Sequence, residues 1–128
     1  LIRVKNNNDT SYFEMNNIIE YSPTFIGKVA DFYIHDKANL EVEAIYELLE
    51  PGEVLLVLSF ENENGNYVWF GKNIYEYTKY FNRRGETFIS FPKPANARGK
   101  DIIKIYLWNK SKTKFKFYGI NFVQYNLD

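Results

Sequence analysis

Hydrophobic and polar positions alternate along most of this chain with a period of two, and turn residues break the alternation into eight or nine runs that predict β-strands. "SYFEM" at 11–15 is a short early edge strand. "IGKVADFYIH" at 26–35 puts Lys28, Ala30, Phe32 and Ile34 on one face and Val29, Asp31, Tyr33 and His35 on the other. In "LEVEAIYELL", 40–49, Leu40, Val42, Ala44, Tyr46 and Leu48 oppose Glu41, Glu43, Ile45 and Glu47. Its Glu, Ala and Leu also suit a helix, but the strict alternation over 40–44 favours a strand with one solvated face.

"PGEV" at 51–54 is a turn, and "VLLVLSF" at 54–60, apolar on both sides until Ser59, reads as a central strand. Asn64-Gly65 signals a tight hairpin that leads into "YVWFGKNIYEY" at 67–77, so these two strands pair antiparallel. "TKYFNRRGE" at 78–86 is a loop or a short helical turn before "TFISF" at 87–91. "PKPANARGK" at 92–100, with two prolines and a glycine, is irregular. A closing hairpin follows: strand 101–109, a turn at "NKSKT", and strand 114–125. Within that last strand Phe115 and Phe117 are in one phase and Ile120 and Phe122 in the other. A β-bulge with Gly119 at the special backbone position accounts for the switch. Many strands without a long intervening helix predict an all-β fold, an antiparallel β-sandwich with jelly-roll topology, as a single domain over 1–128.

Composition supports this picture. The 11 Tyr, 11 Phe and 2 Trp are strand formers, and 128 residues suffice to bury a sizeable core. Sixteen basic and sixteen acidic residues cancel, leaving no basic excess for nucleic acid or anionic lipid. Cysteine is absent, which removes disulfides, thiolate metal sites and thiol nucleophiles. The longest apolar run is about five residues, against roughly 20 for a membrane-spanning helix, so membrane insertion is not expected. The chain starts at Leu1 without a leader pattern, which fits a domain excised from a larger or secreted protein.

Catalytic chemistry finds little to work with. His35 is the sole histidine, and no G-x-S-x-G elbow is present. Glu41 and Glu43 have the spacing of any i, i+2 pair, which is the ordinary pattern of a solvated strand face. "NNND" at 6–9 and "ENENGN" at 61–66 concentrate oxygen donors, but the second lacks the aspartate start and distal glutamate of a calcium loop, and its Asn64-Gly65 is explained by the turn. No metal, no cofactor and no enzyme activity are expected. The aromatics remain. Tyr67 and Trp69 share one face of their strand, and Lys104, Tyr106 and Trp108 share one face of theirs. Flat rings with a polar edge suit the apolar face of a sugar, with neighbouring polar groups bonding its hydroxyls. The other reading is that these rings form the second wall of the sandwich. Tyr75, Tyr77 and Tyr80, running into Arg83 and Arg84, fall on a loop and are better placed for exposure.

"DIIKIYLWNKSKTKFKFYGINF" resembles the closing hairpin of galactose-binding-like and carbohydrate-binding-module-like jelly rolls of Bacteroidetes secreted and surface proteins, with matches at Tyr106, Trp108 and Asn109. "SFENENGNYVWFGKNI" is similar to the family's earlier hairpin at Trp69, and "FISFPKP" at 88–94 to the strand and proline before the closing hairpin. The likeness spans about 53–125. It implies a non-catalytic accessory module in an extracytoplasmic setting. Its partner would be an oligosaccharide held by Tyr67, Trp69, Lys104, Tyr106 and Trp108, or a neighbouring protein domain if the module is purely structural. Where the family carries an acidic pair, which in related modules can join a structural calcium site, this chain has Gly119, Ile120 and Asn121.

Overall fold

The computed structural model describes the backbone of residues 2–5, 11–33 and 38–126 and the side chains of 11–33 and 38–124. Among the described residues nine strands form two antiparallel sheets packed face to face, the jelly-roll sandwich. The first sheet runs in the order β1 (Ile2–Lys5), β9 (Phe115–Asn126), β4 (Ala38–Leu48), β7 (Arg84–Pro92), with β2 (Phe13–Met15) in line with β1 on the same side of β9. The second runs β3 (Phe25–Lys28), β8 (Ile102–Trp108), β5 (Leu55–Asn62), β6 (Gly65–Asn73). Among the described residues no helix is long and apolar enough to cross a membrane.

Alternation decides which side chains meet between the sheets. Leu40, Val42, Ala44, Tyr46 and Leu48 of β4 join Leu56, Leu58 and Phe60 of β5, Ile103, Ile105 and Leu107 of β8, and Phe115, Phe117, Ile120 and Phe122 of β9 in one core. The β9 phase switch is the expected bulge. Ile45 pairs with Gly119 but Tyr46 pairs with Phe117, so Tyr118 is the extra residue, and Gly119 has φ 138°, a conformation that disfavours a side chain. Phe115 and Phe117 before the bulge and Ile120 and Phe122 after it thereby all point inward.

Three expected strand boundaries move. The run 26–35 leaves the sheet after Lys28: the Val29 N–H donates to the Asp101 carbonyl (2.8 Å) and the Ala30 N–H to the Gly99 carbonyl (3.0 Å), and Val29–Phe32 forms one helical turn, α1. Phe32 folds back over Gly27, where a Cβ would collide with its ring, and meets Phe122 edge-on at 5.2 Å. The two-face assignment therefore fails beyond Lys28; Ile34 and His35 lie outside the described residues, as does "NNND". The strand at 67–77 likewise ends at Asn73, because the Asn73 side chain accepts from the Tyr75 N–H and caps a 3-10 turn over Ile74–Tyr77. Residues 84–86, expected in a loop, belong to β7, where β4 supplies a pairing partner.

The irregular 93–101 segment is clamped by one carboxylate. Asp101 Oδ2 accepts the Arg98 backbone N–H (3.0 Å) and the Tyr67 hydroxyl (2.6 Å), while the Arg98 guanidinium reaches Glu63 at 2.9 Å. The Arg98 N–H, then the Tyr67 hydroxyl, hold the Asp101 carboxyl below the usual carboxylate range, and burial with the Asp101 charge keeps Tyr67 well above the usual phenol range. Folded Asp101 therefore binds its proton less readily than the unfolded chain does. The stability it contributes is present above the unfolded value of about 3.9 and lost as pH falls below it, through the folded pKa. Melting temperatures taken from neutral pH down to about pH 2 are expected to fall less steeply in Asp101→Asn than in the parent. Superimposable acid limbs would show that this clamp does not sense pH.

Candidate functional site

The outward face of the second sheet carries a layer of rings. On β8 the alternation that buries Ile103, Ile105 and Leu107 turns Lys104, Tyr106 and Trp108 outward, each partly exposed. Central β5 presents Val57 and Ser59 on the same side, both almost fully buried, and Val57 stands apart from the core cluster between the sheets. The register sets Tyr106 on one side of Val57 and Gly71 on the other. Trp69 reaches along β6 over Gly71, where a Cβ would stand 2.7 Å from the indole Cη2, and remains 49% exposed. The glycine thus leaves room for the indole to lie along the strand. The rings roof Val57.

Trp69 and Trp108 meet edge to face at 6.4 Å and 80°. A third ring comes from outside the sheet. Residues 20–22 run beside the end of β8, with Asn109 N–H donating to the Glu20 carbonyl (2.7 Å) and Ser22 N–H to the Leu107 carbonyl (3.0 Å). This lays Tyr21, 53% exposed, nearly parallel to Trp108 (6.4 Å, 18°) and edge-on to Tyr106 (5.9 Å, 75°). The Trp108 indole N–H donates to Glu20 Oε2 at 3.1 Å, which fixes the ring's rotation. Beside the rings, Ser59, Glu61, Asn66 and Lys104 line a shallow concavity with Tyr21 and Tyr106 of about 330 Å3. Lys104 Nζ is 3.1 Å from Glu61 Oε1, so this polar wall carries both a donor and an acceptor and little net charge.

Of the five residues singled out in the sequence, Trp69, Lys104, Tyr106 and Trp108 come together here. Tyr67 does not. A second bulge, with Phe60 opposite Val68 and Glu61 opposite Asn66, leaves Tyr67 as the extra residue and turns it inward, where its ring lies 6.3 Å from Phe60 and its hydroxyl serves Asp101. Tyr67 and Trp69 therefore face opposite sides of β6. Glu20, Tyr21, Ser59 and Asn66 were not visible as site residues, because only the path of 20–22 and the register of β5 and β6 bring them to the rings.

The outward face of the first sheet has a different chemistry. Glu41, Glu43, Ile45 and Glu47 form the expected outward row of β4. Asn121 Nδ2–H donates to Glu43 Oε1 at 2.7 Å, but Asn121 Oδ1 is buried without a hydrogen-bond partner, although the residue is only 6% exposed. Half-exposed Phe88 stands opposite Glu43 on β7, at the edge of a groove of about 560 Å3 shared with Glu41, Ser90, Phe70, Lys72 and Tyr77. Glu63 of the "ENENGN" turn is engaged by Arg98, and among the described residues no three His, Cys, Asp or Glu side chains converge as a metal site.

No protein-family model matches the sequence, and no curated protein is similar to it at a significant level. Solved structures do share its fold. One is described as "Family 16 Carbohydrate Binding Module-2": 12% identical, TM-score 0.56, with 91% of this chain and 78% of that one covered. Another is the CBM22-1 xylan-binding domain from Paenibacillus barcinonensis Xyn10C, 8% identical with TM-score 0.52, covering 80% of this chain and 65% of that one. At these identities the likeness establishes the architecture: the chain has the β-sandwich fold found in carbohydrate-binding modules.

Proposed function

We propose that this domain is a non-catalytic carbohydrate-binding module of an extracytoplasmic protein, and that the outward face of the second sheet holds the sugar. One observation carries the reading: Trp69 and Tyr21, each about half exposed, flank Trp108 and adjoin the Lys104–Glu61 pair, Ser59 and Asn66. Rings offer the apolar face of a pyranose a surface that water solvates poorly, and the polar wall exchanges hydrogen bonds with its hydroxyls. With Lys104 neutralised by Glu61, the chemistry of this face suits an uncharged glycan.

Both tryptophans of the chain lie on this face, so intrinsic fluorescence reports it directly. Titration with soluble xylan, glucan and mannan oligosaccharides is expected to shift the emission for at least one of them. Trp69→Ala is expected to weaken that ligand about tenfold or more, the equivalent of about 1.4 kcal/mol. An array of neutral glycans that leaves the emission unmoved and is not retained by the domain would sink the proposal.

A second reading places the same function on the opposite face, favoured by half-exposed Phe88 at the edge of the groove that it shares with Glu41, Ser90 and Tyr77. If that face binds instead, Phe88→Ala abolishes binding while Trp69→Ala leaves it intact.

A further inference from the structure

The turn between β6 and β7 carries a third feature that neither sheet face accounts for. A concavity of about 410 Å3 opens there, lined by Tyr77, Thr78, Lys79, Tyr80, Arg83 and Arg84 among others. Among the described residues Glu86 is the single acidic side chain in its wall. We propose that this is a separate binding site for an acidic glycan, with the cations taking the carboxylate or sulfate and the tyrosines taking the sugar ring.

Charge supplies the first argument. Four cations elsewhere in the described structure pair with carboxylates: Arg98 with Glu63, Lys104 with Glu61, Lys110 with Glu53 and Lys116 with Glu47. In the wall of this concavity, by contrast, Lys79 and Arg83 pair with no carboxylate among the described residues, and Arg83 lies 4.9 Å from the Tyr80 centroid. A guanidinium held against a ring keeps its N–H edge directed outward, and part of the rotamer entropy of binding an anion is already spent. Since the whole chain has zero net charge, an anion attracted here answers to this patch rather than to a general basic surface.

Preorganisation is the second argument. The Asn82 N–H donates to the Leu48 carbonyl at 2.8 Å, and Asn82 itself has φ 58°, so the turn that presents Arg83 is tied to the end of β4. The floor is a fixed hydroxyl relay, in which the buried Tyr46 hydroxyl bonds Thr87 Oγ1 (2.6 Å) and Thr78 Oγ1 (2.9 Å), and Thr78 Oγ1–H donates to the Ile74 carbonyl (2.7 Å). Above it Tyr77 and Tyr80 stand 59% and 60% exposed, amphipathic rings that a simple polyanion does not need and a pyranose uses.

Affinity electrophoresis at physiological ionic strength tests this with polygalacturonate as the carboxylated probe, heparin as the sulfated one, and polyglutamate as a polyanion without sugar rings. One acidic glycan or both should retard the domain, and which one identifies the anion. The Lys79→Ala/Arg83→Ala double variant, both positions being exposed, should keep its melting temperature and lose about tenfold or more of that affinity. Trp69→Ala should leave acidic-glycan binding unchanged, which separates this site from the neutral-glycan face. Polyglutamate binding as tightly as the glycans, retardation unaffected by the double variant, or no retardation by either glycan would each overturn the proposal.

Discussion

Asn109→Ala is expected to lower the melting temperature by about 10 °C, although it removes only three heavy atoms. Asn109 is fully buried at the end of β8. Its Nδ2 donates to the carbonyls of Asn16 (3.0 Å), Ile19 (3.1 Å) and Thr113 (2.9 Å), and its Oδ1 accepts the Thr113 N–H (2.9 Å). One amide thus closes the β8–β9 turn and ties down the segment that delivers Tyr21 to the rings. Alanine leaves these groups without their partner in a space too confined for full rehydration, at about 1–3 kcal/mol for each group that stays unsatisfied. Asn109→Asp separates this account from lost packing. Its carboxylate still accepts from Thr113 but opposes the other carbonyls, so the variant should be destabilised at neutral pH and partly recover as acid protonates it. If both variants melt with the parent, the asparagine of "YLWN" is not the clasp described here.

Phe60→Ala should cost about 3–5 kcal/mol, the range for emptying a buried aromatic site. The ring is completely buried on the inward side of β5 and contacts Phe91 at 5.8 Å, Tyr33 at 6.2 Å and Tyr67 at 6.3 Å, all from different elements. Those neighbours are large and anchored: the Tyr33 hydroxyl donates to the Phe91 carbonyl (2.9 Å) and the Tyr67 hydroxyl to Asp101 (2.6 Å), so they collapse poorly into the void. Denaturant unfolding followed by circular dichroism measures the loss, and Phe60→Leu should restore about half of it. Because Phe60 points away from the outward rings, glycan affinity per folded molecule should be unaltered. A large affinity change at full folding would mean that the two sides of β5 are coupled.

Particular strands explain how much of this was legible. The outward and inward rows of β4 and β8, the two-sided apolar character of β5 and the bulge at Gly119 all follow from period-two alternation, which is a local property of the backbone. The places where expectation and structure differ involve partners remote in sequence. Residues 29–32 alternate like a strand, yet their N–H groups find the carbonyls of Asp101 and Gly99 and curl into α1. Tyr67 alternates with Trp69, yet the register of β6 on β5 inserts an extra residue and the pairing of their faces is lost. Asn121 reads as a departure from an acidic motif; only the pairing of β9 with β4 sets it opposite Glu43, where its amide donates to that carboxylate.

The sequence alone therefore determined the class of the fold and the row of Lys104, Tyr106 and Trp108, since a strand's two faces are set by its own covalent geometry. Whether that row looked toward the opposite sheet or toward solvent was a matter for the tertiary structure. Ile103, Ile105 and Leu107 took the inner side, Val57 raised a small apolar base on the outer one, and a distant segment brought Tyr21 across to complete the ring layer. Burial is a property of pairs of surfaces, and no single strand encodes which of its faces meets a partner.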